Sequence, residues 1–289
     1  NDRTAHFATR EKRRIDWMTS NVVATITNSQ VIRLYRFDHI NATQGPQAVQ
    51  INRTSSDYSG NARQYWLGYR RAFDAANGWL AHGVQVDWCR TSYGSDGAVQ
   101  LDMTPYSYDD NSGSSYTDDN NDKYDGVILI GRTFSDTGAG IHITPTARGG
   151  SPTGEWIDVT INIGTFPTNR APTLSLAASS TNALTNAPLV FTASASDADG
   201  DTLAYEWDFS LPKLLFSNSL NRAEVTNSWG TPGEYVVRCV ASDMKGGRER
   251  LPALAQLKGL RWITQLSSNA AHDEAFVRQL KTGGCQGVL

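Results

Sequence analysis

The sequence predicts a mainly β protein: a β-sandwich domain followed by an immunoglobulin-like β-sandwich, with short helices at the N- and C-terminal ends. Apolar and polar residues alternate through many short segments, each bounded by turn-forming Asn, Ser, Gly or Pro. These segments recur at intervals of about ten to twenty residues, a spacing typical of sandwiches and barrels. A chain of 289 residues is long enough for two such domains.

The first predicted element is a helix, HFATREKRRIDWM, at residues 6–18. It carries apolar residues among four Lys and Arg residues and has no other element before it. We therefore interpret residues 1–20 as the last helix of a domain that precedes this chain. His6 is expected to lie at the helix end beside Phe7 and not to bind zinc.

The segments after this helix predict a β-sandwich domain over residues 21–165. Nine of them have the period of a strand, namely NVVATI, VIRLYRF, QAVQINR and residues 64–73, 83–88, 97–103, 125–134, 140–147 and 156–164.

A second domain is predicted over residues 166–247, after the proline-containing linker TFPTNRAP. TLSLAA, APLVFTASA, TLAYEWDF and EYVVRCVASD alternate with immunoglobulin-like spacing, and Trp207 is the expected buried tryptophan. From Arg248 the apolar spacing becomes helical, and Asp273, Glu274 and Gly283 fit helix ends. Residues 248–289 are therefore interpreted as two short helices or a poorly ordered tail.

Composition indicates an extracellular protein with polar loops. The net charge of −3 and the pI near 6.0 do not indicate the excess of positive charge that is typical of nucleic-acid-binding proteins. No apolar run approaches the ~20 residues that a membrane span needs. Cys89 and Cys239 are expected to be small apolar strand residues, and Cys285 leaves a disulfide possible.

No complete catalytic site is recognisable in the sequence. None of the five histidines has a second histidine four residues later, so the helical zinc-peptidase motif is missing and zinc is not expected. There is no Gly-x-Ser-x-Gly elbow, so no residue pattern in the sequence marks a Ser/His/Asp triad. Asp87, Asp102 and Asp158 lie in predicted strands, where isolated carboxylates are expected to face water.

One long segment between two predicted strands is strongly acidic. It carries seven Asp between residues 102 and 125 but only one basic residue, and its spacing is not that of an EF-hand. It is either a solvated loop or a calcium site formed by Asp109, Asp110, Asp118, Asp119 and Asp122. Aromatic residues of the predicted strands, as in QYWLGYRRAF, are expected to serve the core. The candidates for contact with a sugar or polypeptide are instead three tyrosines of the acidic loop: Tyr106, Tyr108 and Tyr116.

Residues 169–247 resemble a polycystic kidney disease (PKD) repeat. The resemblance rests on NRAP, on SDADGDTLAYEWDF and on EYVVRCVASDMKGG. It implies an extracellular β-sandwich, and it implies calcium binding by Asn169, Asp197, Asp199 and Asp243. RERLPALAQL, with a proline, stands where the family has its last strand, which puts that strand in question. Without it, one sheet edge would accept a strand from a neighbouring chain.

The earlier part of the chain is similar to the region after the catalytic domain in secreted zinc peptidases related to gametolysin. The residues concerned are the opening helix and YWLGYR, LDMTP, GRTFSD, GIHITPTA and WIDVTINIG. This resemblance implies a secreted, bacterial accessory region that stabilises or anchors an upstream catalytic domain, with calcium as cofactor. The alternatives are an adhesive module that binds polysaccharide or a protein surface, and a structural protein assembling by strand exchange.

Overall fold

The computed structural model describes most of the two predicted domains. The residues it describes are 7–39, 45–53, 62–71, 80–90, 98–103, 126–209, 220–255, 262–264 and 285–288.

The first domain is a sandwich of two sheets. The first sheet has the order β1-β3-β4-β5-β6, with β7 also pairing β5; its strands are β1 (Val23–Ile26), β3 (Ala48–Asn52), β4 (Arg63–Tyr69), β5 (Gly83–Arg90), β6 (Val99–Gln100) and β7 (Val127–Leu129). The second sheet has the order β2-β10-β9-β8; its strands are β2 (Gln30–Tyr35), β8 (Phe134–Asp136), β9 (Ile141–Gly149) and β10 (Trp156–Ile163). The pairs are antiparallel except β1 with β3.

Alternate residues of both sheets form the core of this domain. Because side chains alternate across a strand, every second residue points between the sheets. Fully buried members of the core include Leu34, Val49, Leu67, Val86 and Ile157. The predicted β-sandwich is therefore confirmed.

One predicted strand, DGVILIGRTF, is two strands in the structure. Gly131 separates β7 from β8 with a φ of +88°, a conformation that L side chains rarely adopt. The chain here leaves the first sheet and enters the second, and a Cβ at this position would overlap the backbone carbonyl of Tyr205 in the other domain. The apolar run DGVILIGRTF continues through this turn, so the sequence pattern predicted one strand instead of two.

The opening helix is shorter than predicted and belongs to the first domain. Helix α1 spans Thr9–Arg14 and ends before Asp16, whose φ is +59°. Arg10 is fully buried, and the Lys12 Nζ donates a hydrogen bond to the Phe37 carbonyl at 2.9 Å. The helix thus covers the outer face of the first sheet. Phe7 and Trp17 remain exposed, with their ring centroids 5.5 Å apart.

The second domain is a sandwich of two three-stranded sheets. One has the order β11-β12-β14 and the other β13-β15-β16; the strands are β11 (Thr173–Ala178), β12 (Leu189–Ser196), β13 (Ala204–Asp208), β14 (Glu224–Asn227), β15 (Tyr235–Ser242) and β16 (Arg248–Ala255). Trp207 is buried as predicted, and its indole N–H donates to the Arg222 carbonyl at 2.8 Å. Cys239 lies in the same core, and both it and Cys89 are buried free thiols.

The prediction of a helix from Arg248 is wrong for residues 248–255. These residues form β16, which pairs antiparallel with all eight residues of β15. Pro252 is tolerated because β16 is the outer strand of its sheet, where a missing N–H is acceptable. The last strand of the sandwich is therefore present, and the edge that was predicted to be open is occupied by the chain itself.

Beyond β16, two short strands are described. Strand β17 (Trp262–Thr264) pairs in parallel with β18 (Cys285–Val288). The second predicted helix, with Asp273, Glu274 and Gly283, lies outside the described residues. In the part of the chain that the structure describes, no helix is long and apolar enough to cross a membrane.

Candidate functional site

The predicted calcium residues converge at one end of the second domain. The acidic turn between β12 and β13 is folded by Asp197, whose Oδ1 accepts the backbone N–H groups of Asp199 at 2.8 Å and Asp201 at 3.2 Å. Gly200 has a φ of +77°, which allows this tight turn. The turn holds three carboxylates close together.

The loop after β15 brings a fourth carboxylate to this end. Asp243 is buried, and its Oδ1 accepts the N–H groups of Lys245 at 2.7 Å and Gly247 at 3.0 Å. Its Oδ2 accepts from the Asn169 amide at 2.6 Å. Asn169 and Asp243 are therefore neighbours, as the resemblance implied.

Two cations of the chain already lie on the acidic turn. The Arg170 guanidinium donates to Asp199 at 2.7 and 3.0 Å and holds the pKa of that exposed carboxyl below its usual range. The Lys245 ammonium donates to Asp201, and it stands 5.5 Å from the centre of the Phe166 ring. Asp199 is thereby engaged by an arginine of its own chain.

Two buried carboxylate oxygens of the turn have no hydrogen-bond partner among the residues that the structure describes. They are Oδ2 of Asp197 and Oδ2 of Asp201. Unpartnered buried oxygens are costly, and a calcium ion prefers such ligands. The residues thus fit a cation in part. Asp201 is therefore a better candidate calcium ligand than Asp199, although the resemblance did not assign it.

Other predicted site residues are not brought to this end. Asp109, Asp110, Asp118, Asp119 and Asp122, with Tyr106, Tyr108 and Tyr116, lie outside the described residues. Within the described ranges, no group of three or more His, Cys, Asp or Glu side chains is placed to hold a metal ion.

The expectation that Asp87 faces water is wrong. Asp87 is only 2% exposed because helix α1 covers the outer face of the first sheet, and this burial raises the pKa of its carboxyl to about 7. Its Oδ1 accepts from the Gln85 amide at 3.2 Å. Asp158, in contrast, pairs with the exposed Arg33 through two bonds of 2.8 Å.

A buried ion pair joins the two domains. Arg132 follows the Gly131 turn, and its guanidinium donates to Glu206 Oε1 of β13 at 2.9 and 2.5 Å and to the Met103 carbonyl at 2.9 Å. The two side chains are 17% and 15% exposed. Burial alone would lower the pKa of Arg132, but Glu206 raises it, so the guanidinium stays charged.

Neutral hydrogen bonds between described residues also join the two domains. The Thr133 hydroxyl bonds Ser242 of β15 at 2.8 Å. The Asn162 amide donates to the Met244 carbonyl at 2.8 Å, and the Asn221 amide donates to the Thr146 carbonyl at 3.2 Å. Because Met244 stands between Asp243 and Lys245, the loop that borders the acidic turn is also part of the junction.

A comparison with protein families matches residues 173–250 to the PKD domain. No curated protein and no solved structure matches the chain. The match supports the PKD resemblance, whereas no homologue supports an origin in a gametolysin-like peptidase. The second sandwich of this chain is therefore a PKD domain, which suggests an extracellular accessory or adhesive role.

Proposed function

We propose that this chain is a non-catalytic, extracellular accessory region whose two sandwiches act as one rigid arm. The observation that carries the proposal is the buried Arg132–Glu206 pair between the domains. Burying two charges is favourable only where the geometry is held, so a freely moving linker would not retain this pair. A rigid arm can hold an attached domain at a defined distance and orientation.

Small-angle X-ray scattering tests the rigidity of this arm. The wild-type chain is expected to give a scattering curve that one arrangement of the two domains reproduces. Arg132→Met is expected to broaden the distribution of distances, while Arg33→Met, which removes an arginine from a pair within one sheet, leaves the curve unchanged. A wild-type curve that requires many domain arrangements contradicts the rigid arm.

We infer further that the arm serves a secreted zinc peptidase. The order of the pieces supports this inference: a short helix, a β-sandwich and then a PKD domain. The coding sequence upstream of Asn1 tests it. A His-Glu-x-x-His motif in the same reading frame supports the inference, and an unrelated upstream domain opposes it.

Calcium is proposed as a stabilising ligand of the PKD domain. Asp197 and Asp201 would hold it through their unpartnered Oδ2 atoms, with Asn169 and Asp243 beside them. The ion would supply positive charge that neutralises the clustered carboxylates. Because Met244, next to Asp243, accepts a hydrogen bond from the first domain, calcium binding would also stabilise the junction between the domains.

Thermal unfolding with and without calcium tests this site. An ion that binds only the native state raises its stability by about 2.7 kcal/mol at a hundred times Kd. Calcium is expected to raise the Tm of wild type and of Asp16→Asn, which removes an exposed carboxylate, but not of Asp197→Asn/Asp201→Asn. Equal melting of wild type in calcium and in EDTA contradicts calcium binding.

A further inference from the structure

A second polar cluster lies in the first domain, near the ends of β4 and β9. Two guanidinium groups meet there on one backbone oxygen: Arg71 Nη1 donates to the Ala81 carbonyl at 2.9 Å, and Arg148 Nη1 reaches the same oxygen at 3.5 Å. The two positive groups are therefore close neighbours. Like charges held this close repel each other unless a negative group lies between them.

The nearby carboxylates are engaged by a third arginine. Arg36 pairs with Asp38 at 2.9 Å and with Glu155 at 3.0 Å, and all three side chains are largely buried. Asp38 also accepts the backbone N–H of Arg71 at 2.9 Å. Among the residues that the structure describes, no carboxylate pairs with the Arg71 or Arg148 guanidinium. Of the three guanidinium groups, only that of Arg36 is paired with these two carboxylates.

Two further described side chains of this cluster, those of His82 and Tyr69, carry no negative charge. Arg148 Nη1 donates to Nδ1 of His82 at 2.5 Å, which requires a neutral imidazole. Burial, and then Arg148 and Arg71, lower the pKa of His82 to about 4. Tyr69 is 1% exposed, and burial raises the pKa of its phenol, so it remains neutral too. Within the described part of the chain, the Arg71 and Arg148 guanidinium groups therefore lie together without a paired carboxylate.

We propose that Arg71 and Arg148 form a binding site for an oxyanion, either inorganic sulfate or the carboxylate of an acidic sugar. Guanidinium groups offer several N–H donors in one plane, which suits the oxygens of such anions. The half-buried position of Arg148 weakens competition from water. This site is far along the chain from the acidic turn and does not depend on calcium or on the rigid arm.

Calorimetric titration with sodium sulfate and sodium glucuronate tests the proposal, with sodium chloride of equal ionic strength as the reference. Saturable binding of either salt is expected, and the stronger of the two identifies the source of the anion. Arg148→Gln is expected to weaken binding at least tenfold, and Arg71→Gln similarly. Arg33→Gln is the matched control, because Arg33 has its own carboxylate, and it should bind as wild type does.

Two outcomes overturn the proposal. One is the absence of any saturable binding beyond that of chloride. The other is unchanged affinity for both salts in Arg148→Gln and in Arg71→Gln, which would mean that the anion binds elsewhere. Should Arg148→Gln fail to fold, the His82 imidazole resonances of wild type provide a second measurement: they are expected to shift with sulfate and not with chloride.

Discussion

Removing the Arg132 guanidinium tests how strongly the two domains are joined. Arg132→Met keeps the length of the side chain but leaves Glu206 buried without its partner. The loss of one member of a buried pair costs about 3–5 kcal/mol, and both side chains here are slightly exposed, so we expect about 3 kcal/mol. That corresponds to a fall in Tm of about 2–4 °C for each kcal/mol in a protein of this size.

The matched control is Arg33→Met. Arg33 also donates two hydrogen bonds to its carboxylate, one to each oxygen of Asp158 at 2.8 Å, but its side chain is 46% exposed. Exposed pairs contribute under about 1 kcal/mol because water screens them. The two substitutions therefore differ in burial and in whether the pair joins the domains.

Urea unfolding, followed by tryptophan fluorescence and by circular dichroism, measures both costs. The double variant Arg132→Met/Glu206→Met completes the cycle, and it should cost less than the sum of the two single variants because no charge is left unpaired. We expect the two probes to agree for wild type and to separate for Arg132→Met. Additive costs, or a loss no larger than that of Arg33→Met, would refute the importance of this pair.

Three further predictions follow from single residues. Gly131→Ala should destabilise the chain more than Gly200→Ala, by at least about 1 kcal/mol in urea unfolding. Both glycines have a positive φ, but only Gly131 lies against the backbone of the other domain. Equal costs of the two substitutions would contradict this prediction. The pKa of Asp87 is raised to about 7 in the folded state, so its contribution to stability falls as pH rises from about 4 to 7, by up to about 1.4 kcal/mol per pH unit. Asp87→Asn should therefore flatten the dependence of stability on pH, and an unchanged dependence is the contrary result. Burial raises the pKa of the Cys89 and Cys239 thiols to about 12, so alkylation mapped by mass spectrometry should reach them only after unfolding, and rapid labelling of the native chain contradicts this.

The residues of the candidate calcium site were implied by the resemblance to PKD repeats, and one part of the site, the acidic turn, is a local motif. The Asp197–Asp201 turn folds through its own side-chain hydrogen bonds, and the Asn169–Asp243 contact follows from the sandwich topology. What could not be predicted is the engagement of Asp199 by Arg170 and of Asp201 by Lys245. Those contacts depend on which loops meet at the end of the sandwich.

The mainly β class, the position of most strands and the burial of Trp207 were determined by the sequence itself, because alternation along a strand is a local property. Tertiary structure decided the rest. The residues after Arg248 have helical spacing, but they form a strand because they pair with β15. Asp87 is buried because α1 covers the outer face of its sheet. The Arg132–Glu206 junction joins residues 74 positions apart. The pair forms only when β13 of the second domain lies beside the Gly131 turn of the first domain, and no local pattern of residues encodes that arrangement.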